Sequence, residues 1–346
     1  MRLQNSREQL LTTPSAIFSR LIADLHNAHT SIDMEFYIFA SDRTGSTIAD
    51  ILCRKARQDV SVRLIVDGYG SRTISRAMLQ QLLNAGVSIF RHPLLSNNRN
   101  HRKMTIIDRH TAHVGGVNIA DRYSVGNNLG VWYDVQLRLR GGAVATLATL
   151  FDYDVTIAEG GCVAPPAPLS PRGIQLYWSE ANGGRVMEHL LEDVVTSAER
   201  SITLTTPYFM PPRRVLSLLC SAIARGVRVT IIVPERCDVW ALDNLARSYI
   251  ARAQALGINM LIMREGFIHA KLAIVDHRRT ILGSANLDAR SLNINRELML
   301  STYNKEVCRM ADNFILSLRE KCSLPRRSDL NSPFPQFMAK LLEPVL

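Results

Sequence analysis

The stretch "NHRKMTIIDRHTAHVGGVN" (100–118) places a His, a Lys and an Asp around a short apolar run. His101 and Lys103 are two residues apart, so on a strand both side chains point to the same face. Asp108 follows the apolar run at a predicted turn, and a second apolar run returns towards Asn118. Taken alone, the pattern fits either a basic turn next to a core strand or part of a catalytic site.

A second copy of the pattern, "IHAKLAIVDHRRTILGSAN" (268–286), lies 168 residues further along the chain. The His, Lys, Asp, Gly and Asn of the first copy all recur at this one offset without a gap. A solvated turn does not require these five residue types together, so the two copies favour a functional motif. The second copy contains His269, Lys271, Asp276, Gly283 and Asn286.

The sequence around the motif also repeats, and it predicts an α/β fold in each half. "SIDMEFYIF" (31–39) resembles "SITLTTPYF" (201–209), and "VSVRLIVDG" (60–68) matches "VRVTIIVPE" (227–235), all as buried strands. A predicted helix ending in Gly precedes a further strand in each half. This alternation predicts two similar α/β/α sandwich halves, each with a mixed, largely parallel sheet. We expect them to pack about a pseudo-twofold axis, with one active site at the interface.

The boundary between the halves is predicted at "AEGGCVAPPAPLSPRG" (158–173), which is rich in Pro and Gly. We expect a first half over residues 1–157, a linker over 158–173 and a second half over 174–346. The closing "FPQFMAKLLEPVL" (334–346) has apolar residues on one face of a predicted helix. It fits either an interfacial membrane anchor or a helix docked on the core.

Composition narrows the class of partner. The chain has 346 residues, enough for two ordinary domains, with 41 Lys and Arg against 31 Asp and Glu. The net charge of +10 fits nucleic acid or an anionic membrane surface. Its six cysteines are scattered without a CxxC pair, which argues against a zinc site and a disulfide scaffold. No apolar run approaches the ~18 residues of a transmembrane helix, so any membrane contact is expected to be peripheral.

The repeated residue types suit chemistry on a phosphodiester. A neutral imidazole, with an unperturbed pKa of ~6.5, can act as a nucleophile or as a general acid near neutral pH. The ammonium groups of Lys103 and Lys271, with the amides of Asn118 and Asn286, can hold the non-bridging phosphate oxygens. This set stabilises charge without a metal, and we expect neither a metal nor another cofactor.

The duplicated signature resembles the phospholipase D superfamily, in which HxKxxxxD is followed by GG or GS and then Asn. Both copies fit, with Gly116 where the second copy has Ser284, and the resemblance covers the chain from about residue 15. It implies that one His attacks phosphorus to form a phosphohistidine while the other protonates the leaving alcohol. It further implies His101 as nucleophile and His269 as general acid/base, roles that pseudo-symmetry leaves interchangeable.

The resemblance also implies supporting residues. A histidine nucleophile needs an acceptor for its second ring N–H. Glu297 in "NINREL" is the expected acceptor for His269, and Asp134 in "VWYDV" is the expected acceptor for His101. Within the motif, the two Asp residues are expected to brace the site. The expected catalytic set is His101, Lys103, Asp108, His269, Lys271 and Asp276, and the expected phosphate ligands are Asn118, Ser284 and Asn286.

Smaller features resemble the bacterial cardiolipin synthases, including "EFYIFASDRTG" (35–45), "VDGYGS" (66–71) and "TTPYFMPP" (205–212). The implied reaction transfers a phosphatidyl group from one phosphatidylglycerol to another, releasing glycerol and making cardiolipin. Other alcohols, or phosphatidylethanolamine as donor, remain open. The implied partner is anionic phospholipid, and the implied location is the bacterial cell membrane, peripherally on its cytoplasmic face.

Two rival functions use the same motif. One is a phosphodiesterase that hydrolyses phospholipid or nucleic acid with water. Nucleic acid is not expected, because the sequence lacks a basic stripe interleaved with aromatic residues, which make up only 6% of the chain. The other rival is a non-catalytic scaffold for anionic surfaces, which has little need for two intact copies of the motif.

Overall fold

The computed structural model describes residues 7–95, 97–167, 173–181 and 185–330. The predicted apolar tail (334–346) lies outside the described residues. Within the described ranges, no helix combines the length and apolar character needed to cross a membrane.

The first half is built on a seven-stranded sheet covered by helices. Its helices are α1 (Pro14–His26), α2 (Arg43–Ala56), α3 (Arg76–Asn84), α4 (Asp121–Ser124) and α5 (Gly142–Ala158). Its strands are β1 (Glu8–Leu11), β2 (Ser31–Phe36), β3 (Ser61–Asp67), β4 (Ser88–His92), β5 (Lys103–Ile107), β6 (Thr111–Gly115), β7 (Trp132–Tyr133) and β8 (Gln136–Arg140). The strand order is β1-β8-β6-β5-β2-β3-β4, with β7 outside this sheet.

The second half repeats this plan on an eight-stranded sheet. Its helices are α6 (Val186–Ser197), α7 (Arg213–Ala224), α8 (Trp240–Ala255), α9 (Ala289–Asn293), α10 (Lys305–Arg319) and α11 (Arg327–Leu330). Its strands are β9 (Ile174–Ser179), β10 (Ser201–Thr205), β11 (Phe209–Met210), β12 (Arg228–Pro234), β13 (Asn259–Met263), β14 (Phe267–Ile268), β15 (Lys271–Val275), β16 (Arg279–Gly283), β17 (Leu287–Asp288), β18 (Glu297–Thr302) and β19 (Cys322–Ser323). The strand order is β19-β13-β12-β10-β15-β16-β18-β9.

The predicted pair of similar α/β halves with mixed sheets is confirmed, but the sheets are not largely parallel. Among the described strands of the first sheet, only β2·β3 and β3·β4 are parallel, as are β10·β12 and β12·β13 in the second. Each motif copy folds as an antiparallel hairpin, β5–β6 or β15–β16, because a connection of only three residues can join antiparallel strands but not parallel ones. The next strands, β8 and β18, extend these hairpins in the antiparallel direction.

The motif aspartates form the turns of these hairpins. Asp108 and Arg109 have φ of 53° and 49°, and Asp276 and His277 have φ of 51° and 60°. Positive φ at both central residues defines a type I′ turn, whose twist matches that of the flanking strands. Asp tolerates this left-handed conformation better than most residues. The turn therefore lies at the opposite end of β5 or β15 from the histidine.

The halves share a hydrophobic core. One buried cluster combines Leu137 and Phe151 of the first half with Leu300 and Phe314 of the second. The short strands β7 and β14 pair in parallel across the halves. The predicted division at 158–173 stays a prediction; α5 extends to Ala158, and β9 begins at Ile174.

Candidate active site

Each histidine is positioned by the backbone of the other half. The backbone N–H of His101 donates to the carbonyl of Arg296 at 2.9 Å, and Arg296 N–H donates to the carbonyl of Arg99 at 2.9 Å. Reciprocally, the backbone N–H of His269 donates to the carbonyl of Tyr133 at 2.8 Å, at the end of the β7·β14 pair. These crossed pairings bring the residue that follows Arg296 or Tyr133 towards the imidazole.

Those residues are the two predicted acceptors, Glu297 and Asp134. Nδ1 of His101 lies 2.9 Å from both carboxylate oxygens of Glu297, and Nδ1 of His269 lies 2.6 Å from Oδ2 of Asp134. The expected pairing within each half is therefore wrong, because the pairing crosses between the halves. With Nδ1–H donating to the carboxylate, each Nε2 keeps a lone pair for chemistry.

The two carboxylates have different surroundings. Ser284 Oγ donates a hydrogen bond to Glu297 Oε2 at 2.5 Å, and its expected role as a phosphate ligand stays a prediction. At the equivalent position of the first half, a Cβ added to Gly116 would lie 2.5 Å from Asp134 Oδ1. The Gly/Ser difference between the motif copies therefore follows the packing of the two carboxylates.

Burial keeps both imidazoles neutral near pH 7. It lowers the pKa of His101 to about 4 and lowers that of His269 well below its ordinary value, with the lysines adding to the effect. Burial raises the pKa of Asp134 to about 6. Burial also opposes ionisation of Glu297, but His101 and Lys103 outweigh it, so the pKa of Glu297 is lowered on balance.

The two motif lysines lie against the histidines. Lys103 Nζ donates to the His101 carbonyl, and Lys271 Nζ donates to the His269 carbonyl, each at 2.5 Å. Both side chains are buried. Burial lowers the pKa of Lys103 to about 7 and that of Lys271 to about 8. An anion in the cleft would restore their full charge, because a nearby negative charge favours the ammonium form.

The two motif asparagines differ. Asn118 Oδ1 accepts from the Ile38 N–H at 3.0 Å, and its Nδ2 donates to the Tyr123 hydroxyl at 2.8 Å. Each end of its amide therefore makes one hydrogen bond within the protein, and the expected phosphate-binding role of Asn118 stays a prediction. In the described part of the chain, Oδ1 of the buried Asn286 has no hydrogen-bond partner.

Asp108 and Asp276 lie away from the imidazoles. The Asp108 carboxylate accepts hydrogen bonds from the backbone N–H groups of residues 29–31, and Asp276 accepts from those of residues 199–201. Each ties a hairpin turn to the start of the neighbouring strand. Their place among the catalytic residues stays a prediction, and these contacts suit the expected bracing role.

A cleft of about 750 Å³ opens over the two histidines and is lined by both halves. Sequence reasoning missed its arginines and tyrosines, although the 168-residue offset also relates Arg122 to Arg290. No cluster of three or more His, Cys, Asp or Glu suited to a metal occurs among the described residues. The missed arginines and tyrosines of the cleft are Arg72, Arg99, Arg122, Arg290, Tyr37, Tyr69, Tyr123 and Tyr208.

Duplicated α/β halves with two imidazoles in one shared cleft define an enzyme of the phospholipase D superfamily. The family model described as "Cardiolipin synthase, PLD-like domain" matches residues 21–138 and 191–318. The chain belongs to this family.

The relatives agree with this assignment. The chain is 33% identical to a cardiolipin synthase of Geobacillus kaustophilus, over 99% of the chain and 72% of the relative. It is 32% identical to cardiolipin synthase 2 of Bacillus cereus, over 97% of the chain and 70% of that relative.

Solved structures share the fold at low sequence identity. A phosphatidylserine synthase of Haemophilus influenzae superposes with a TM-score of 0.78 at 17% identity, covering 99% of this chain and 94% of that one. A polyphosphate kinase of Porphyromonas gingivalis gives a TM-score of 0.68 at 16% identity, covering 97% of this chain and 53% of that one. At these identities, the likeness concerns the fold alone.

Proposed function

We propose that this enzyme is a phosphatidyltransferase that makes cardiolipin from two phosphatidylglycerol molecules and releases glycerol. The observation that carries the proposal is the pair of neutral imidazoles, each with a buried carboxylate on Nδ1, that line one cleft. The cardiolipin synthase relatives supply the substrate class.

In the first step, Nε2 of His101 attacks the phosphorus of phosphatidylglycerol. The P–N bond forms, the bond from phosphorus to the glycerol oxygen breaks, and His269 protonates that oxygen. His101 is the proposed nucleophile because its carboxylate partner, Glu297, has a lowered pKa and stabilises the positive charge that develops on the ring. The negative charge of a bound phosphodiester raises the pKa of His269, which favours the protonated form needed for acid catalysis.

In the second step, a glycerol hydroxyl of another phosphatidylglycerol attacks the phosphorus. The new P–O bond forms as the P–Nε2 bond breaks, its electron pair returns to His101, and His269 takes the hydroxyl proton. Lys103, Lys271 and one Nδ2–H of Asn286 are proposed to stabilise the phosphate oxygens in both steps. Neither step requires water, which must be excluded if transfer is to exceed hydrolysis.

We also propose that the enzyme works at the cytoplasmic face of a bacterial membrane as a peripheral protein. The +10 charge suits the anionic lipids of that leaflet. Leu94 and Leu95 are 50% and 94% exposed, on a loop whose Leu94 carbonyl accepts from the cleft arginine Arg99. All six cysteines lie within the described residues and none forms a disulfide, which suits a reducing compartment.

The test incubates purified protein with phosphatidylglycerol vesicles and resolves the lipid products. Cardiolipin with an equal amount of free glycerol is the expected result. The H101A and H269A variants are the matched controls and should yield neither product. Phosphatidic acid alone would instead identify a hydrolase, and cleavage of single-stranded DNA without lipid turnover would overturn the lipid assignment.

A further inference from the structure

The second half lines the cleft with polar atoms that lack partners. Asn286, Ser291 and Asn295 border the cleft and are 6%, 1% and 7% exposed. No group in the described ranges forms a hydrogen bond with Asn286 Oδ1, Ser291 Oγ or Asn295 Oδ1. We refer to these three residues as the second-half wall. Because an unpaired buried polar atom costs free energy, its persistence at a cleft points to a ligand that supplies the missing bond.

The equivalent positions of the first half are satisfied internally. The 168-residue offset relates the second-half wall to Asn118, Tyr123 and Asn127. Asn118 Nδ2 donates to the Tyr123 hydroxyl, and Asn127 Oδ1 accepts from Trp132 Nε1 at 2.9 Å. The open atoms are therefore a property of this one wall rather than of the duplicated fold.

Neighbouring groups fix the chemical character of the wall. Asn295 Nδ2 lies 3.4 Å from Glu297 Oε1, and the Asn286 side chain acts as a donor that lowers the pKa of the neighbouring Asp288 carboxyl, against the larger opposite effect of burial. Since the amide nitrogens face carboxylates, the oxygens are left as hydrogen-bond acceptors. The Ser291 hydroxyl adds a group that can accept or donate. The wall thus suits a ligand rich in O–H donors.

The charge of the cleft favours neutral donors over cations. Four arginines border the cleft, against three aspartates, and behind it Lys103 and Lys271 are matched by Asp134 and Glu297, which leaves a small positive excess. A ligand ammonium group would face this positive excess, whereas an alcohol hydroxyl would not. The charged border residues are Arg72, Arg99, Arg122, Arg290, Asp42, Asp238 and Asp288.

We propose that the second-half wall is an alcohol subsite that recognises the free hydroxyl groups of a glycerol headgroup. This rests on the proposed phosphatidyl transfer and adds the residues that select the alcohol. The leaving glycerol and the attacking glycerol hydroxyl use the same subsite, because the second displacement approaches phosphorus from the side the first alcohol left. Alcohols with a second hydroxyl are therefore preferred partners.

The test measures headgroup exchange on phosphatidylglycerol vesicles with isotope-labelled glycerol or with 1-propanol in excess. The wild-type enzyme should incorporate glycerol at least about tenfold faster than 1-propanol, the discrimination that one or two hydrogen bonds provide. Ser291→Ala should reduce the glycerol-to-propanol ratio by about tenfold. Asn295→Leu, the second wall variant, should reduce the same ratio. Ser217→Ala, an exposed serine on α7, is the matched control and should keep the wild-type ratio.

An unchanged ratio in both wall variants, or a wild-type enzyme without preference, would overturn the subsite. Incorporation of ethanolamine as readily as glycerol would overturn its assignment to neutral hydroxyl groups. If the wild-type enzyme transfers no phosphatidyl group to any alcohol, the proposed function fails, and binding then tests the wall separately. Calorimetry with the H101A protein should show tighter binding of glycerophosphoglycerol than of glycerophosphopropanol, and H101A/S291A should lose that difference. Equal binding of the two diesters by H101A would contradict the subsite.

Discussion

Nδ1 of His101 lies 2.9 Å from the Glu297 carboxylate, although 196 residues separate them in the chain. The reciprocal pair, His269 and Asp134, is 135 residues apart. Each half therefore supplies the acceptor that fixes the imidazole of the other half. Neither half contains a complete imidazole–carboxylate pair, so the candidate site depends on the packing between them.

Removing the charge of either acceptor should impair turnover without unfolding the protein. We expect Glu297→Gln and Asp134→Asn each to lower kcat by about 10²- to 10⁴-fold, because the imidazole loses its preferred tautomer and orientation. Nitrogen-15 NMR of the imidazoles can locate each effect. E297Q should shift Nδ1 of His101, and D134N should shift Nδ1 of His269. The opposite assignment would show that the pairing does not cross.

The pH dependence of kcat/KM should be bell-shaped, with its maximum between about pH 6 and 7. Below about 6, Asp134 becomes protonated and no longer holds His269. Lys103 loses the charge that attracts the phosphodiester above about pH 7, and Lys271 loses its charge above about pH 8. Because kcat/KM reports the free enzyme, its alkaline limb should fall at a lower pH than that of kcat. In the complex that kcat reports, the bound anion raises both lysine pKa values.

A Lys103→Arg variant is the control for the alkaline limb. Arginine stays charged at every pH of the assay, so the alkaline limb assigned to Lys103 should shift to higher pH even if the maximal rate falls. An alkaline limb that stays in place would rule out Lys103 as its source.

Gly116 and Ser284, which occupy equivalent positions in the two motif copies, should not be interchangeable. Gly116→Ser places a Cβ against Asp134 and should lower kcat by at least about 100-fold, because the carboxylate must move away from His269. Ser284→Ala removes one hydrogen bond to the Glu297 carboxylate and should lower kcat by about tenfold to 100-fold. Steady-state kinetics on both variants tests this, and full activity in G116S would contradict the packing at Asp134.

Asp108 should contribute to stability rather than to chemistry. Asp108→Asn replaces the acceptor of several backbone N–H groups and should lower the free energy of unfolding by about 1–3 kcal/mol. These contacts lower the pKa of Asp108, so its contribution is present above the ordinary Asp pKa and is lost as the pH falls through the folded value. Urea unfolding and kcat per folded molecule are the two measurements. A large loss of kcat at unchanged stability would instead support a catalytic role for Asp108.

The sequence predicts the motif positions and the two halves well, because a repeat at one offset constrains register directly. The same offset leads from Asn118 to Asn286 and from Arg122 to Arg290. It does not reveal that Asn118 is held by the Ile38 backbone and by Tyr123, since those contacts depend on loop packing.

The crossed acceptors could not be predicted from spacing either. Asp134 and Glu297 are recognisable as buried carboxylates near strands, but their partners are decided by β7 pairing with β14 and by the bridge between Asn100 and Arg296. Such contacts between halves leave no local periodicity. The antiparallel share of each sheet was missed for a related reason. Each described main sheet has two parallel strand pairings, among β2, β3 and β4 or among β10, β12 and β13. The antiparallel pairings of the motif hairpins and of the strands around them outnumber these.

The most direct test of the two-histidine scheme is to trap the covalent intermediate. Wild-type protein is mixed with phosphatidylglycerol, quenched within milliseconds and digested, and the peptides are sequenced by mass spectrometry. We predict a phosphatidyl group on His101, with less of it in E297Q, because the ring loses the carboxylate that stabilises its positive charge. An adduct on His269, or turnover to cardiolipin without any histidine adduct, would contradict the scheme.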